Sequence, residues 1–272
     1  MKGRRRRPCL SFFRIRFLRG QQYRVAALAG VATQFFWGFM RLLAYRAFYR
    51  SDPAAIPMPL PQLAAYIWLQ QAFLALLNTW SVDRDILEAI TGGGIAYELC
   101  RPLDLYTHWL IRGCADRVSA ALLRCLPILA VAALLPAPFR LGPPASLTAA
   151  LLFPLSLALG TLLVSALTLL MYIAMFHTLS PYGVRMMVTA LSEFLGGAVI
   201  PLPFLPERVW QVVELLPFAS IQDLPMRIYG GGAVAGAAFG GVALQLFWLA
   251  VLLLLGRLWM GRTLRRVVVQ GG

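Results

Sequence analysis

From Pro154 to Phe176 the chain reads PLSLALGTLLVSALTLLMYIAMF, without one Asp, Glu, Lys or Arg. A helix rising about 1.5 Å per residue needs roughly 20 mainly apolar residues to cross the hydrocarbon of a bilayer. This run meets that length with no charge to hide, so it belongs in lipid. Five further runs share the property less cleanly: about Val25 to Tyr45, Leu63 to Trp80, Val118 to Leu135, Val184 to Ile200 and Phe239 to Met260. Together they predict an all-α integral membrane protein with about six transmembrane helices. Composition agrees, since 60% of residues are hydrophobic and 13% charged, where soluble domains carry about a quarter charged residues.

Orientation follows from the arginines, because short cytoplasmic loops hold the excess of basic residues. Lys2, Arg4 to Arg7, Arg14, Arg16, Arg19 and Arg24 precede the first run, and Arg84, Arg101, Arg112 and Arg117 lie between the second and third. Arg257, Arg262, Arg265 and Arg266 follow the last. The opposite loops hold only Arg50, Arg140, Arg208 and Arg227, so both termini are expected in the cytosol. The net charge of +14 is thus a topology signal and does not point to nucleic acid. The basic start leads into a long span with no cleavage site, so it is expected to stay attached. SFFRIRFLRGQQYR is either a short piece lying among headgroups or a basic tail that fixes orientation. The expected division is a basic cytosolic or interfacial segment 1–24, one membrane domain 25–260 and a basic tail 261–272. Within the domain lie a cytosolic loop, 81–117, and an outer broken hairpin, 201–238.

Several chemistries are excluded. A phosphate-cradling G-x-x-x-x-G-K-[ST] loop needs a lysine, and the only lysine is Lys2. If ATP powers this protein, another subunit binds it. The two histidines, His108 and His177, stand apart without metal-site spacing and read as headgroup-level side chains. The four cysteines form no CxxC pair and read as free thiols. No catalytic residue, metal site or cofactor is expected, and the chain is not read as an enzyme.

The loop SVDRDILEAITGGGIAYELCRPLDLYTHWLIRGCADR holds Asp83, Asp85, Glu88, Glu98, Asp104 and Asp116 of the chain's 11 acids. Ile86, Leu87 and Ile90 recur at helical spacing beside Asp85 and Glu88. That spacing predicts a short amphipathic helix, a glycine break at Gly92, Gly93 and Gly94, and a second short helix ending near Pro102. Such an element either docks into a groove of a soluble partner or folds back as a solvated connector.

A second stretch, EFLGGAVIPLPFLPERVWQVVELLP, starts with Glu193 inside an apolar run and breaks on Pro201, Pro203 and Pro206. Proline has no amide hydrogen, so the chain is expected to leave the helix near Ile200. Irregular backbone at membrane depth survives only where protein buries it or it lines a cavity. Glu193 is costly there, and is either a structural pairing group or a substrate contact. Arg41 and Arg46 are expected to snorkel towards headgroups. Arg124 is expected to snorkel inward or to find Glu193 or a backbone carbonyl.

The pattern acid-x-acid-I-L-E-x-I-x-x-G followed by E-L-C-R-P-L-D resembles the first cytoplasmic loop of permease subunits of type-2 ATP-binding cassette (ABC) exporters. QYRVAALAGVATQFFWGFMRLLAYRAFY, PQLAAYIWLQQAFLAL, GIAYELCRPLDLY and GRTLRRVVVQGG together resemble one bacterial branch of these permeases, in which two related six-span proteins stand beside one ATPase. The resemblance implies a coupling loop at Asp83, Asp85, Glu88, Gly92, Gly93, Gly94, Arg101 and Pro102 that seats in a cytosolic ABC ATPase. It also implies a re-entrant outer hairpin marked by Glu193, Gly196, Gly197, Pro201, Pro203 and Pro206. A second copy or a related permease would complete a dimer in the bacterial plasma (inner) membrane, among lipid. The implied function is export driven by ATP hydrolysed elsewhere. The alternative is an ion-coupled secondary transporter, which would want several intramembrane carboxylates and repeated halves.

Overall fold

In the computed structural model the charge-free run lies inside one helix, Leu147–Met175, at the centre of the molecule. The structure describes residues 6–21, 24–51, 56–100, 104–178, 180–233 and 235–265. Among them the helices are, in order, α1 Arg6–Gly20, α2 Arg24–Ser51, α3 Leu60–Ala72, α4 Leu74–Leu77, α5 Arg84–Thr91 and α6 Ile95–Leu99. They continue with α7 Leu105–Leu134, α8 Leu147–Met175, α9 Pro181–Leu195, α10 Glu207–Val213, α11 Pro217–Gly230 and α12 Ala235–Leu264. No strand occurs among the described residues. Among the described residues three helices are long and apolar enough to cross a membrane: Leu105–Leu134, Leu147–Met175 and Gly236–Leu264.

Burial divides these elements. The most apolar window of α8 is 72% buried inside the chain, whereas those of α7 and α12 are 28% and 22% buried. Outward apolar side chains such as Leu126, Leu246 and Leu254 suit a lipid surroundings, where exposing hydrocarbon costs nothing. Inside α8, Thr161, Ser165 and Thr168 return their hydroxyls to carbonyls one turn back, at 2.7 to 2.8 Å. Their polarity is thereby satisfied within the helix.

Close approach and amide bonds hold the centre together. A Cβ on Gly160 would stand 2.8 Å from the Ile221 carbonyl, so glycine lets α11 press directly on α8. Fully buried Gln245 of α12 donates to the Ser156 carbonyl of α8 at 3.0 Å and to the Ser220 carbonyl of α11 at 2.7 Å. Each such interhelical bond is worth about 0.6 kcal/mol in a membrane, so the clamp fixes register more than it adds stability. α1, the basic segment, lies along α7. Gln21 donates to the Ser119 carbonyl at 3.1 Å, and the Ser119 hydroxyl donates to the Phe17 carbonyl at 2.9 Å.

Several boundaries differ from expectation: α7 starts at Leu105 and not near Val118, so it takes in part of the loop expected over 81–117, and α2 runs on to Ser51. α9 ends at Leu195 and not near Ile200, because Gly196 caps it and Gly197 turns left-handed at φ 76°. Glycines therefore stop the helix before the first proline is reached. At 15 residues, α9 is shorter than the roughly 20 that a full crossing takes. After the break, α12 begins at Ala235, earlier than the Phe239 expected from hydropathy.

Candidate functional site

The acidic loop folds as two short helices hung from the start of α7. Asp83 caps α5, its Oδ1 accepting from the amides of Asp85 at 3.0 Å and Ile86 at 3.4 Å, as an N-cap carboxylate does. The Asp83 amide donates to the Tyr172 hydroxyl of α8 at 2.7 Å. Buried Arg112 of α7 grips both acids: Nη2 donates to Asp83 Oδ1 at 2.5 Å and to Asp85 Oδ2 at 2.6 Å, and Nε pairs with Asp83 Oδ2. Ile86 and Ile95 insert beside Trp109 and Tyr172. The Arg112 hydrogen bond holds the Asp85 carboxyl below its ordinary range, and Arg16 of α1 adds to this from 3.8 Å.

Glycine then reverses the chain. Gly92 caps α5 and Gly93 sits at φ 73°, a conformation that costs other residues roughly 1–2 kcal/mol. Glu98 of α6 lies 3.5 Å from His108. His108 is therefore buried against the elbow, with Phe12 at 4.4 Å, and is not the headgroup-level side chain expected. His177 bonds Thr263 at 2.8 Å across to α12. Of the expected loop residues, Asp83 and Asp85 turn to Arg112, Glu88, Gly92 and Gly93 are exposed, and Gly94 is half-buried. Arg101 and Pro102 lie outside the described residues. Tyr97 of α6 is 83% exposed.

At the break after α9, two of the three prolines open short elements and the third lies inside one. Pro201 precedes a single 3-10 turn, Leu202–Phe204, which contains Pro203, and Pro206 precedes α10. The centre of the break is a buried network absent from the sequence reading. Asp223 of α11, at 0% exposure, accepts from Arg227 Nε at 2.5 Å and from the Tyr66 hydroxyl at 2.9 Å. Arg227 also reaches Glu214 at 3.4 Å and lies over the Trp210 ring. The Gly197 carbonyl accepts from Gln70 Nε2 at 2.8 Å, and a Cβ on Gly197 would stand 2.7 Å from the Tyr66 hydroxyl. The signal for this network was the Asp-x-x-x-Arg spacing of DLPMR, which puts both charges on one helical face.

Glu193 and Arg124 do not pair. They line one cavity, each with a buried atom that has no hydrogen-bond partner among the described residues. Arg41 does not snorkel; it donates to Gln70 Oε1 at 2.9 Å and to the Val199 carbonyl at 3.3 Å. Arg46 lies over the Phe139 ring, 5.1 Å from its centre.

A further sequence gap is Arg117, buried in α7, which donates to the Asn78 carbonyl at 2.5 Å and to Thr168 Oγ1 at 3.0 Å. It ties α7, α8 and the end of α4 together behind the elbow.

A family model described as "ABC-2 family transporter protein" matches residues 35–271. Neither a curated protein nor a solved structure matches the chain.

Proposed function

We propose, from the premise that this chain belongs to the ABC-2 family of transporter proteins, that it is the transmembrane permease subunit of an exporter. It is membrane-embedded, and its family implies partnership with an ATPase subunit. In this reading the chain catalyses nothing, and a separate cytosolic subunit binds and hydrolyses ATP. The arginine distribution supports an even number of spans with both termini in the cytosol, and the likeness to type-2 exporter permeases supports six spans in a bacterial plasma membrane with a re-entrant hairpin between α9 and α12 on the outer side. A second copy or a related permease completes the pathway.

The observation that carries the reading is the attachment of the elbow. Arg112 binds Asp83 and Asp85, and Tyr172 binds the Asp83 amide, so a push on α5 and α6 reaches α7 and α8 directly. Glu88, Gly92, Gly93 and Tyr97 remain outward for the partner. Nucleotide can drive the membrane helices only by the difference in its affinity for their two arrangements. A tethered elbow is the kind of element whose position both sides can bias.

Purification in mild detergent tests this. The expected result is a co-purifying protein with a phosphate-binding loop and vanadate-sensitive ATPase activity, lost when Glu88→Lys and Tyr97→Ala are combined. An active, ATPase-free sample driven by an ion gradient would sink it.

A further inference from the structure

Polar groups that neither the elbow nor the break after α9 uses gather in one hollow. Glu193 of α9, Arg124 of α7 and Gln34 of α2 line an open cavity of about 620 Å³ that α3 and the Ala198–Val199 segment also line. Glu193 Oε1, Arg124 Nε and Gln34 Oε1 are sealed from solvent with no hydrogen-bond partner among the described residues, and Gln34 is 4% exposed. Buried polar atoms are as a rule satisfied, so three from three helices facing one space call for a ligand to complete them.

The lining limits what that ligand can be. Arg124 lies close along α2, where a Cβ on Gly30 would come within 3.0 Å of its Cζ. Glycine there leaves the guanidinium its place beside the hollow. An isolated charge among apolar helices is costly unless a countercharge meets it. Arg124 and Glu193 together therefore ask for one anionic and one cationic group. Arg41 brings a second guanidinium to the same cavity, and a tetrahedral phosphate can offer oxygens to two guanidinium groups at once. Leu74, Trp37, Ala198 and Val199 supply apolar wall, which suits an alkyl or acyl chain. Leu74, Trp80 and Arg124 also line a neighbouring cavity of about 370 Å³ that reaches Asp83, Asp116 and Arg117. Arg124 thus stands where a path from the elbow enters the upper hollow.

We propose that this cavity binds the headgroup of an amphiphile joining a phosphate to a primary amine. The phosphate sits on Arg124 and Arg41, and the ammonium donates to Glu193 and to the Gln34 side-chain carbonyl. Calling this ligand cargo rests on the transporter reading; the binding itself does not.

The test uses the full purified chain in dodecyl maltoside, with native mass spectrometry to count bound lysophospholipid. Lysophosphatidylethanolamine should bind roughly tenfold or more tightly than lysophosphatidylcholine, whose quaternary nitrogen has no proton to give, and than lysophosphatidylglycerol, which has no cation. Arg124→Gln and Glu193→Gln should each weaken that binding by a similar factor of roughly ten or more. The thermal midpoint of each variant should stay level or rise, because among the described residues no hydrogen bond completes Arg124 Nε or Glu193 Oε1. Equal binding of the three headgroups, or full binding by both variants, overturns the assignment. A lower midpoint in both variants does the same, since it marks the two charges as structural partners. Free phosphoethanolamine binding as well as the lysolipid would remove the case for an amphiphile. In the complex with its ATPase, lysophosphatidylethanolamine should raise ATP hydrolysis in the wild type and not in E193Q. Binding without that rise leaves the headgroup site standing and overturns only its reading as cargo.

Discussion

The two arms of the proline-broken segment, α9 and α11, handle buried charge in opposite ways. On α11, Asp223 is surrounded by Arg227 and Tyr66 and has nothing left to offer a ligand. On α9, Glu193 Oε1 and, across the cavity, Arg124 Nε are left without a hydrogen-bond partner among the described residues. A satisfied network fixes structure, whereas an unsatisfied one keeps its bonding capacity for something that arrives later. The difference separates the groups that hold the break in place from those that wait beside it.

The contrast can be broken most sharply at Asp223. Asp223→Ala leaves buried Arg227 with only the longer Glu214 contact and should cost about 3–5 kcal/mol, read as a fall in the thermal midpoint in detergent. Replacing both members by apolar residues should recover much of that loss. Next in size, Arg112→Gln should cost about 1–3 kcal/mol by removing charge-assisted bonds to Asp83 and Asp85. Amide exchange should accelerate in 84–99 and leave α11 protected. Gly197→Ala should cost about 1–2 kcal/mol for the left-handed backbone alone, and the clash with Tyr66 should loosen the Asp223 network as well. That loosening would show as faster exchange in α11.

The smallest effect belongs to pH at the elbow. Arg112 lowers the Asp85 carboxyl below its ordinary 3.8, so its contribution is fully present above that value and is lost as pH falls through the lowered one. Exchange in α5 should therefore be unaffected by Asp85 titration between about pH 5 and 8 and rise only in stronger acid. An elbow that loosened through Asp85 near neutrality would mean that Arg112 does not grip it in solution.

Much of the elbow was legible because its signals are local. The acid before Arg84, the Ile86 and Ile90 spacing and the triple glycine each act within one turn of chain, and they give the α5 cap, its buried face and the reversal at Gly93. The partner of the acids was not legible. Arg112 lies far along the chain and reads as one more cytosolic arginine until α7 brings it under α5. The end of α9 was misjudged for a related reason: proline is the stronger breaker in isolation, yet the Gly196-Gly197 pair comes first and finds a carbonyl partner in Gln70.

What the sequence determined alone was whatever depends on a short window: that the chain lives in lipid, which end carries the positive charge, that the chain is helical, and that the helix breaks somewhere between Glu193 and Pro217. Hydropathy and backbone stereochemistry are properties of neighbours in sequence, so they survive without a fold. Only the tertiary structure decided which charges meet. Asp223 with Arg227 and Tyr66, Asp83 with Arg112, and Glu193 beside Arg124 without touching it depend on how helices lie against one another. A charge in the membrane is cheap or costly according to what stands opposite it.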